Sequence, residues 1–82
     1  MRRGILKKKK GRIVIDPKVM GGKPVIAGTR VPVQVIVGAL AGGMTREEVC
    51  KEYRVALEDI QAALAYATEA LAQEKVHALP GR

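Results

Sequence analysis

The chain has 82 residues, a formal net charge of +7 and one cysteine, Cys50. This length allows a single small domain, and one cysteine excludes an internal disulfide bond. The sequence contains no Phe or Trp and two Tyr, so any core must be packed from Val, Ile, Leu, Met and Ala. A small core without large aromatic side chains favours assembly into a homodimer.

The positive charge is concentrated at the start of the sequence. Seven cations and no acid lie within residues 1–12, namely Arg2, Arg3, Lys7, Lys8, Lys9, Lys10 and Arg12, whereas the remaining cations and acids balance. Clustered cations near a terminus attract polyanions without specifying their sequence. We interpret residues 1–11 as a basic flexible arm that contacts nucleic acid. The alternatives are a solvated leader that aids solubility and a contact with an acidic protein.

The first elements after the arm are predicted to be β-structure. Residues 12–15 predict a short strand, which Asp16-Pro17 ends as a turn pair. Gly21-Gly22 opens a loop, and two β-branched runs flank Gly28. This pattern predicts a hairpin or ribbon over residues 12–31, whose glycines adopt positive φ. An isolated hairpin is marginally stable in water, so the ribbon must pack on helices or pair with another chain.

The glycines before Lys23 do not indicate a nucleotide site. A phosphate-binding P-loop needs Ser or Thr after its lysine, and here Pro24 follows Lys23. We therefore interpret Gly21 and Gly22 as turn residues. Lys23 and Arg30 are alternatives as contacts to a phosphate or a partner.

Helices are predicted from residue 32 onward. Apolar residues at helical spacing predict the first helix, which Gly42-Gly43 ends. These apolar residues are Val33, Ile36, Val37 and Leu40. Thr45 and Glu48 form a capping box at the start of a short second helix, which ends near Tyr53. A third helix follows after a tight turn, and this arrangement is typical of a helix-turn-helix bundle.

The third helix is predicted to begin near Leu57 and to extend to His77. Its N-cap is poor, because the side chain of Ala56 cannot accept a hydrogen bond. Its apolar face consists of Ile60, Leu64, Ala67 and Leu71. The last turns have little surface of the domain to cover, so they pack on a second copy or a partner, or else fray. The predicted fold class is α+β, mainly α, with one domain over 12–79, a helical unit over 32–79 and a tail over 80–82.

Several stretches of the sequence resemble domain-of-unknown-function family 433. They are IVIDP at 13–17, GGKPVIAGTRVPV at 21–33, AGGMT at 41–45 with Glu48, and LEDIQAALAYA at 57–67. The resemblance covers roughly residues 12–68, and Ala56 departs from it where the family usually places Ser or Thr. It implies a short β-element before a homeodomain-like trihelical unit. Many members resemble antitoxins encoded beside a PIN-like nuclease toxin, so the resemblance also implies an antitoxin-like role.

Nucleic-acid contacts are expected at basic residues more than on the third helix. The exposed first turn of that helix carries Glu58 and Asp59, whose carboxylates repel phosphates, and Gln61 is its one usual base reader. The candidate nucleic-acid-binding residues are Arg2, Arg3, Lys7, Lys8, Lys9, Lys10, Arg12, Arg30, Arg46, Arg54 and Gln61. The candidate turn and cap residues are Gly21, Gly22, Gly28, Thr45 and Glu48. The alternative is that the trihelical unit is only a packing scaffold.

The sequence favours a regulatory function over an enzymatic one. It has one histidine, His77, and no paired carboxylates or nucleophile–base pair, so we expect no catalysis, no metal and no cofactor. It has no apolar run long enough to span a membrane, and a cytoplasmic location is expected. The leading hypothesis is a homodimeric antitoxin-type protein that binds a PIN-like nuclease and the DNA of its own operator. The alternatives are a stand-alone nucleic-acid-binding protein that uses its arm, and a protein-interaction module without a nucleic-acid role.

Overall fold

The computed structural model describes residues 8–78, and within them the side chains of residues 11–73. The elements are β1 (Lys8–Lys10), β2 (Ile13–Ile15), a 3₁₀ turn at Met20–Gly22, β3 (Val25–Ile26), α1 (Val33–Ala41), α2 (Arg46–Tyr53) and α3 (Leu57–Ala78). The predicted fold class, a small β-part followed by three helices, is therefore confirmed.

The three strands form one antiparallel sheet in the order β1-β2-β3. The prediction of a flexible arm over residues 1–11 is wrong for Lys8–Lys10, because these residues pair with β2 in a hairpin. Lys10 lies opposite Ile13, which leaves Gly11 and Arg12 as a two-residue loop. Gly11 has φ +60°, as the first position of a type II′ hairpin turn requires. The rest of the predicted arm, with Arg2, Arg3 and Lys7, lies outside the described residues.

The predicted ribbon around Gly28 is confirmed. The backbone turns between Ile26 and Thr29, where the Thr29 N–H donates to the Ile26 carbonyl oxygen at 3.0 Å. Gly28 occupies the third position of this turn with φ +79°, which a side chain with a β-carbon adopts only with strain. The Thr29 hydroxyl donates to the same carbonyl oxygen and accepts from the Val31 N–H. Gly21 and Gly22 also have positive φ, of 66° and 87°, as predicted for turn residues.

The capping box of α2 is present in both directions. The Glu48 backbone N–H donates to Thr45 Oγ1 at 3.1 Å, and the Thr45 N–H donates to Glu48 Oε1 at 2.8 Å. The helix is capped at its C-terminal end by Arg54, which adopts a left-handed conformation with φ 57° and donates its N–H to the Cys50 carbonyl oxygen. These two ends limit α2 to 8 residues and set the tight turn into α3.

Half of a capping box compensates for the poor N-cap of α3. The side chain of Ala56 cannot accept a hydrogen bond, but its own N–H donates to Asp59 Oδ2 at 2.8 Å. This is the bond that the third helical residue makes in a complete capping box. The helix therefore begins at Leu57, as predicted, although the residue before it is an alanine.

The core lies where the sheet and the three helices meet. Its buried residues are Ile13, Val25, Ile26, Val33, Ile36, Val49, Val55, Ile60 and Ala63. On the apolar face of α3, Ile60 is buried, whereas Leu71 is 63% exposed, as expected for turns that have little surface of the domain to cover. The 22 residues of α3 span about 33 Å, whereas the 9 residues of α1 span about 14 Å. The last turns of α3 therefore extend past the helices that bury its first turns.

Candidate nucleic-acid interface

The tip of the β1–β2 hairpin is joined to the first turn of α3 by an ion pair. Arg12 Nη1 donates to Asp59 Oδ1 at 2.8 Å. The Arg12 side chain remains 51% exposed, whereas that of Asp59 is 14% exposed. A hydrogen-bonded Arg–carboxylate pair is stronger than a neutral hydrogen bond, so this contact fixes the hairpin beside the helix. The guanidinium of Arg12 is held at the surface with part of its donors facing outward.

Asp59 uses both carboxylate oxygens inside the domain. Oδ1 accepts from Arg12, and Oδ2 accepts from the Ala56 N–H at the start of α3. The expectation that both acids of this first turn repel a polyanion is therefore wrong for Asp59, because its charge is compensated by Arg12 and its side chain is largely covered. Glu58 is exposed and keeps the role that the sequence suggested.

A second contact joins the two helices of the helix-turn-helix. Arg46 Nη1 donates to Gln61 Oε1 at 3.2 Å, and both residues are exposed. Arg46 is the first residue of α2, and Gln61 lies on the second turn of α3. The bond leaves the Gln61 amide nitrogen and most Arg46 donors available, because a guanidinium carries five N–H groups. A cation and an amide thus lie side by side on the outer surface.

We call Arg12, Arg46 and Gln61 together the basic face. The surface of α3 next to them carries small side chains at Ala62 and Ala65. A cleft of about 180 Å³ runs between the hairpin tip and this part of α3, with Gly11, Arg12 and Ala65 among its lining residues. The small side chains allow a ligand to approach the helix backbone closely. The arrangement offers two cations and one amide beside a shallow floor of small side chains, and the cleft is also lined by one acid, Glu69.

Two other predicted nucleic-acid-binding residues lie in the connections between elements. Arg30 is exposed in the loop before α1, and Arg54 is exposed at the turn between α2 and α3. Among the residues that the structure describes, neither side chain takes part in the contacts of the basic face. Lys8–Lys10 form β1, which leads into the hairpin tip that carries Arg12. Arg2, Arg3 and Lys7 lie outside the described residues.

Two residues of this site were not identified from the sequence. Gly11 forms the hairpin turn, and the signal was a glycine directly before the predicted strand over residues 12–15. Asp59 positions both Arg12 and the helix start, and the signal was an acid three residues after a poor N-cap. Both signals are local, but the partner of Asp59 is 47 residues away in the sequence.

Within residues 8–78, no helix has the length and the apolar character needed to cross a membrane. In the same residues, His, Cys, Asp and Glu do not gather in groups of three or more that could hold a metal ion.

Known proteins share this domain. A crystal structure of Rv2018 from Mycobacterium tuberculosis matches with a TM-score of 0.59 and 35% identity, over 63% of this chain and 24% of that one. The matched part of this chain thus corresponds to about a quarter of that solved protein. An uncharacterised protein of Archaeoglobus fulgidus is 65% identical over 26 residues, which are 32% of this chain and 72% of that protein. The model of a family described as proteins of unknown function, DUF433, matches residues 13–67. Because this match covers more than half of the chain, the protein belongs to the DUF433 family.

Proposed function

We propose that this chain is an antitoxin-type regulatory protein of the cytoplasm, which binds DNA through its basic face and a PIN-like nuclease through other surfaces. The observation that carries the DNA-binding part is that two exposed arginines contact the first two turns of α3, Arg12 at Asp59 and Arg46 at Gln61. The proposal assigns the chain no catalytic activity. The antitoxin part rests on the resemblance of many family members to antitoxins.

The geometry supports DNA as the ligand of the basic face. In helix-turn-helix proteins the second helix of the motif lies in the major groove and its first turns contact base edges. Gln61 occupies such a position on α3 and its amide matches the hydrogen-bonding edge of adenine. Arg46 and Arg12 lie on either side of that helix, in α2 and the hairpin, where phosphates of the two strands would pass.

The first turn of α3 repels DNA less than its two acids suggest. Two free carboxylates at the start of α3 would repel the phosphates that flank the groove. Asp59 is paired with Arg12 and covered, so Glu58 is the exposed acid of that turn. Arg12 and Arg46 thus balance the two acids of the first turn, so the start of α3 does not itself repel a polyanion.

The experiment measures DNA affinity by fluorescence anisotropy, with a labelled duplex taken from immediately upstream of the chain's own gene. Arg46→Ala is expected to weaken binding and to reduce the slope of log K against log salt by about 0.9, because one phosphate contact is lost. Gln61→Ala is expected to cost about 1–3 kcal/mol and to reduce discrimination against an unrelated duplex. The matched control is Lys51→Ala, an exposed cation near the other end of α2.

Equal affinities and salt slopes for Arg46→Ala and Lys51→Ala would contradict the DNA-binding proposal. Such a result would show that any binding depends on total charge and not on the basic face. If the unaltered chain does not bind DNA, the remaining hypothesis is a protein-interaction module without a nucleic-acid role.

The basic arm is tested separately, because Lys8–Lys10 form β1 and the other cations of the arm precede this strand. Deleting residues 2–10 removes β1 as well as the arm, so the sharper variant lacks only residues 2–7. This variant loses Arg2, Arg3 and Lys7, and the salt slope per chain should fall by at most about 3 units. An unchanged slope and affinity would show that these three residues are a solvated leader.

The antitoxin part of the proposal has its own test. A reading frame for a small PIN-like nuclease directly beside the gene is expected, and its product should co-purify with this chain. The purified complex should cleave RNA more slowly than the nuclease alone. An adjacent nuclease that neither binds nor is inhibited would leave the stand-alone nucleic-acid-binding protein as the better hypothesis.

A further inference from the structure

We propose that the groove between α1 and α3 is the interface for a second copy of this chain, with Leu71 of each copy inserted into the groove of the other. The groove lies between the start of α1 and the second half of α3 and has a volume of about 590 Å³. Its apolar walls include Pro24, Pro32, Val37, Tyr66 and Leu71. Lys23 and Gln34 are its polar lining residues, and no acid of the described chain lines it.

The same segment of α3 lines the groove in one copy and is proposed to enter the groove of the other copy. Positions 67, 70, 71 and 74 lie on one side of a helix, because residues three and four apart are neighbours on its surface. Ala67 and Ala70 are small, and Leu71 is 63% exposed beside them. In a two-fold interface each surface must fit its own copy. A projecting leucine next to an apolar groove on the same face meets that condition, because each copy offers both parts.

Charge complementarity also favours a second copy as the occupant. Lys23 is the cation of the groove, and position 74, one turn beyond Leu71 on the same side of α3, is a glutamate. In the proposed interface, the turn after Leu71 of one copy faces Lys23 of the other. Opposite charges facing each other across an interface help to select one partner and one register. A groove with a cation and no acid of its own therefore suits this segment.

The proposed interface leaves the basic face free. Successive residues of α3 are rotated by about 100°, so Gln61 and Ala65 lie on the side of the helix away from Ala67, Ala70 and Leu71. A dimer formed through the groove would carry two basic faces related by a two-fold axis. The inference does not depend on DNA binding, because it concerns another surface and is tested without DNA.

The experiment is sedimentation equilibrium of the full chain over a range of micromolar concentrations. The unaltered chain is expected to approach twice its mass of 8.8 kDa. Leu71→Gln should raise the dimer dissociation constant by about tenfold or more, as expected when a buried apolar anchor is lost. The matched control is Leu57→Gln, because Leu57 is also on α3 and 53% exposed but does not line the groove. Circular dichroism checks that both variants keep their helices.

A charge exchange tests the register of the interface. Lys23→Glu alone should weaken the dimer, and Lys23→Glu combined with Glu74→Lys should restore most of its affinity. A monomeric unaltered chain at the highest concentration would overturn the proposal, and so would a dimer that Leu71→Gln does not weaken. A monomer that binds a nuclease through Leu71 would assign the groove to another protein and would likewise overturn it. None of these outcomes bears on the DNA affinity of the basic face.

Discussion

The two halves of α3 have similar sequences but different surroundings. Both are rich in alanine, and Leu71 in the second half continues the apolar side that Ile60 and Leu64 begin in the first. In the first half, over residues 57–66, the side chains of Ile60 and Ala63 are fully buried, whereas Leu71 in the second half is 63% exposed. Amphipathic spacing therefore shows which side of a helix is apolar, but the length of the neighbouring helices decides which turns are covered.

The polar residues differ in the same way. In the first half, Asp59 contacts the hairpin and Gln61 contacts α2, so both side chains link α3 to other elements. In the second half, the Thr68 hydroxyl donates to the Leu64 carbonyl oxygen of its own helix at 2.8 Å. Asp59 and Gln61 thus connect the first half of α3 to other elements, whereas the Thr68 hydrogen bond lies within the helix.

The largest expected difference between the halves is in the free energy of unfolding after truncation of an apolar side chain. Ile60→Ala should lower it by about 2–5 kcal/mol, because the side chain is fully buried and a cavity remains. Leu71→Ala should change it by less than about 0.5 kcal/mol in the single chain, because the side chain is exposed. Urea denaturation, at concentrations where the chain is monomeric, measures both. Equal losses would mean that the two halves are packed alike.

A smaller effect is expected from the contacts of the first turn of α3. Asp59→Ala removes the acceptor of both Arg12 and the Ala56 N–H, and should cost about 1–2 kcal/mol of unfolding free energy. Glu58→Ala is the control, because Glu58 is the neighbouring exposed acid, and it should cost less than about 0.5 kcal/mol. Thermal and urea unfolding compare the two variants. An equal cost for both would show that the ion pair does not hold the hairpin against α3.

The smallest expected effect concerns helix propensity at exposed positions. Ala65→Gly, in the first half, should cost about 1 kcal/mol, because the helix is formed there whenever the domain is folded. Ala72→Gly should cost about half of that or less, because turns near a helix end can unwind locally without unfolding the domain. Both alanines are exposed, so neither change removes packing. Unfolding at monomeric concentrations and hydrogen exchange of α3 measure the difference, and a larger cost at Ala72 would reverse the comparison.

Much of the fold could be predicted because its signals are local. The capping box of Thr45 and Glu48, the start of α3 at Leu57 and the positive φ of Gly28 depend on residues a few positions apart. The hairpin at Gly11 is also local, but the strand before it was not predicted because it consists of three lysines. Lysine is depleted in strands, and a lysine run is typical of solvated chain. The strand forms because β2 offers it a paired edge.

The candidate site could be predicted only in part. Arg12, Arg46 and Gln61 were identified by residue type, but so were Arg30 and Arg54, which make neither of these two contacts. Which of these residues meet depends on the packing of the hairpin and α2 against α3. Contacts across 47 and 15 residues have no local signal, because they are set by how the elements dock.

The amino-acid sequence alone determined where helices begin and end, because caps, glycines and apolar spacing act within one or two turns. It also determined the family, through the continuous stretches that match over residues 13–67. Tertiary structure alone decided that Asp59 is neutralised by Arg12, and that an apolar groove lies beside the exposed Leu71. Both depend on distances between separate elements, and those distances follow from packing the whole chain around one small core.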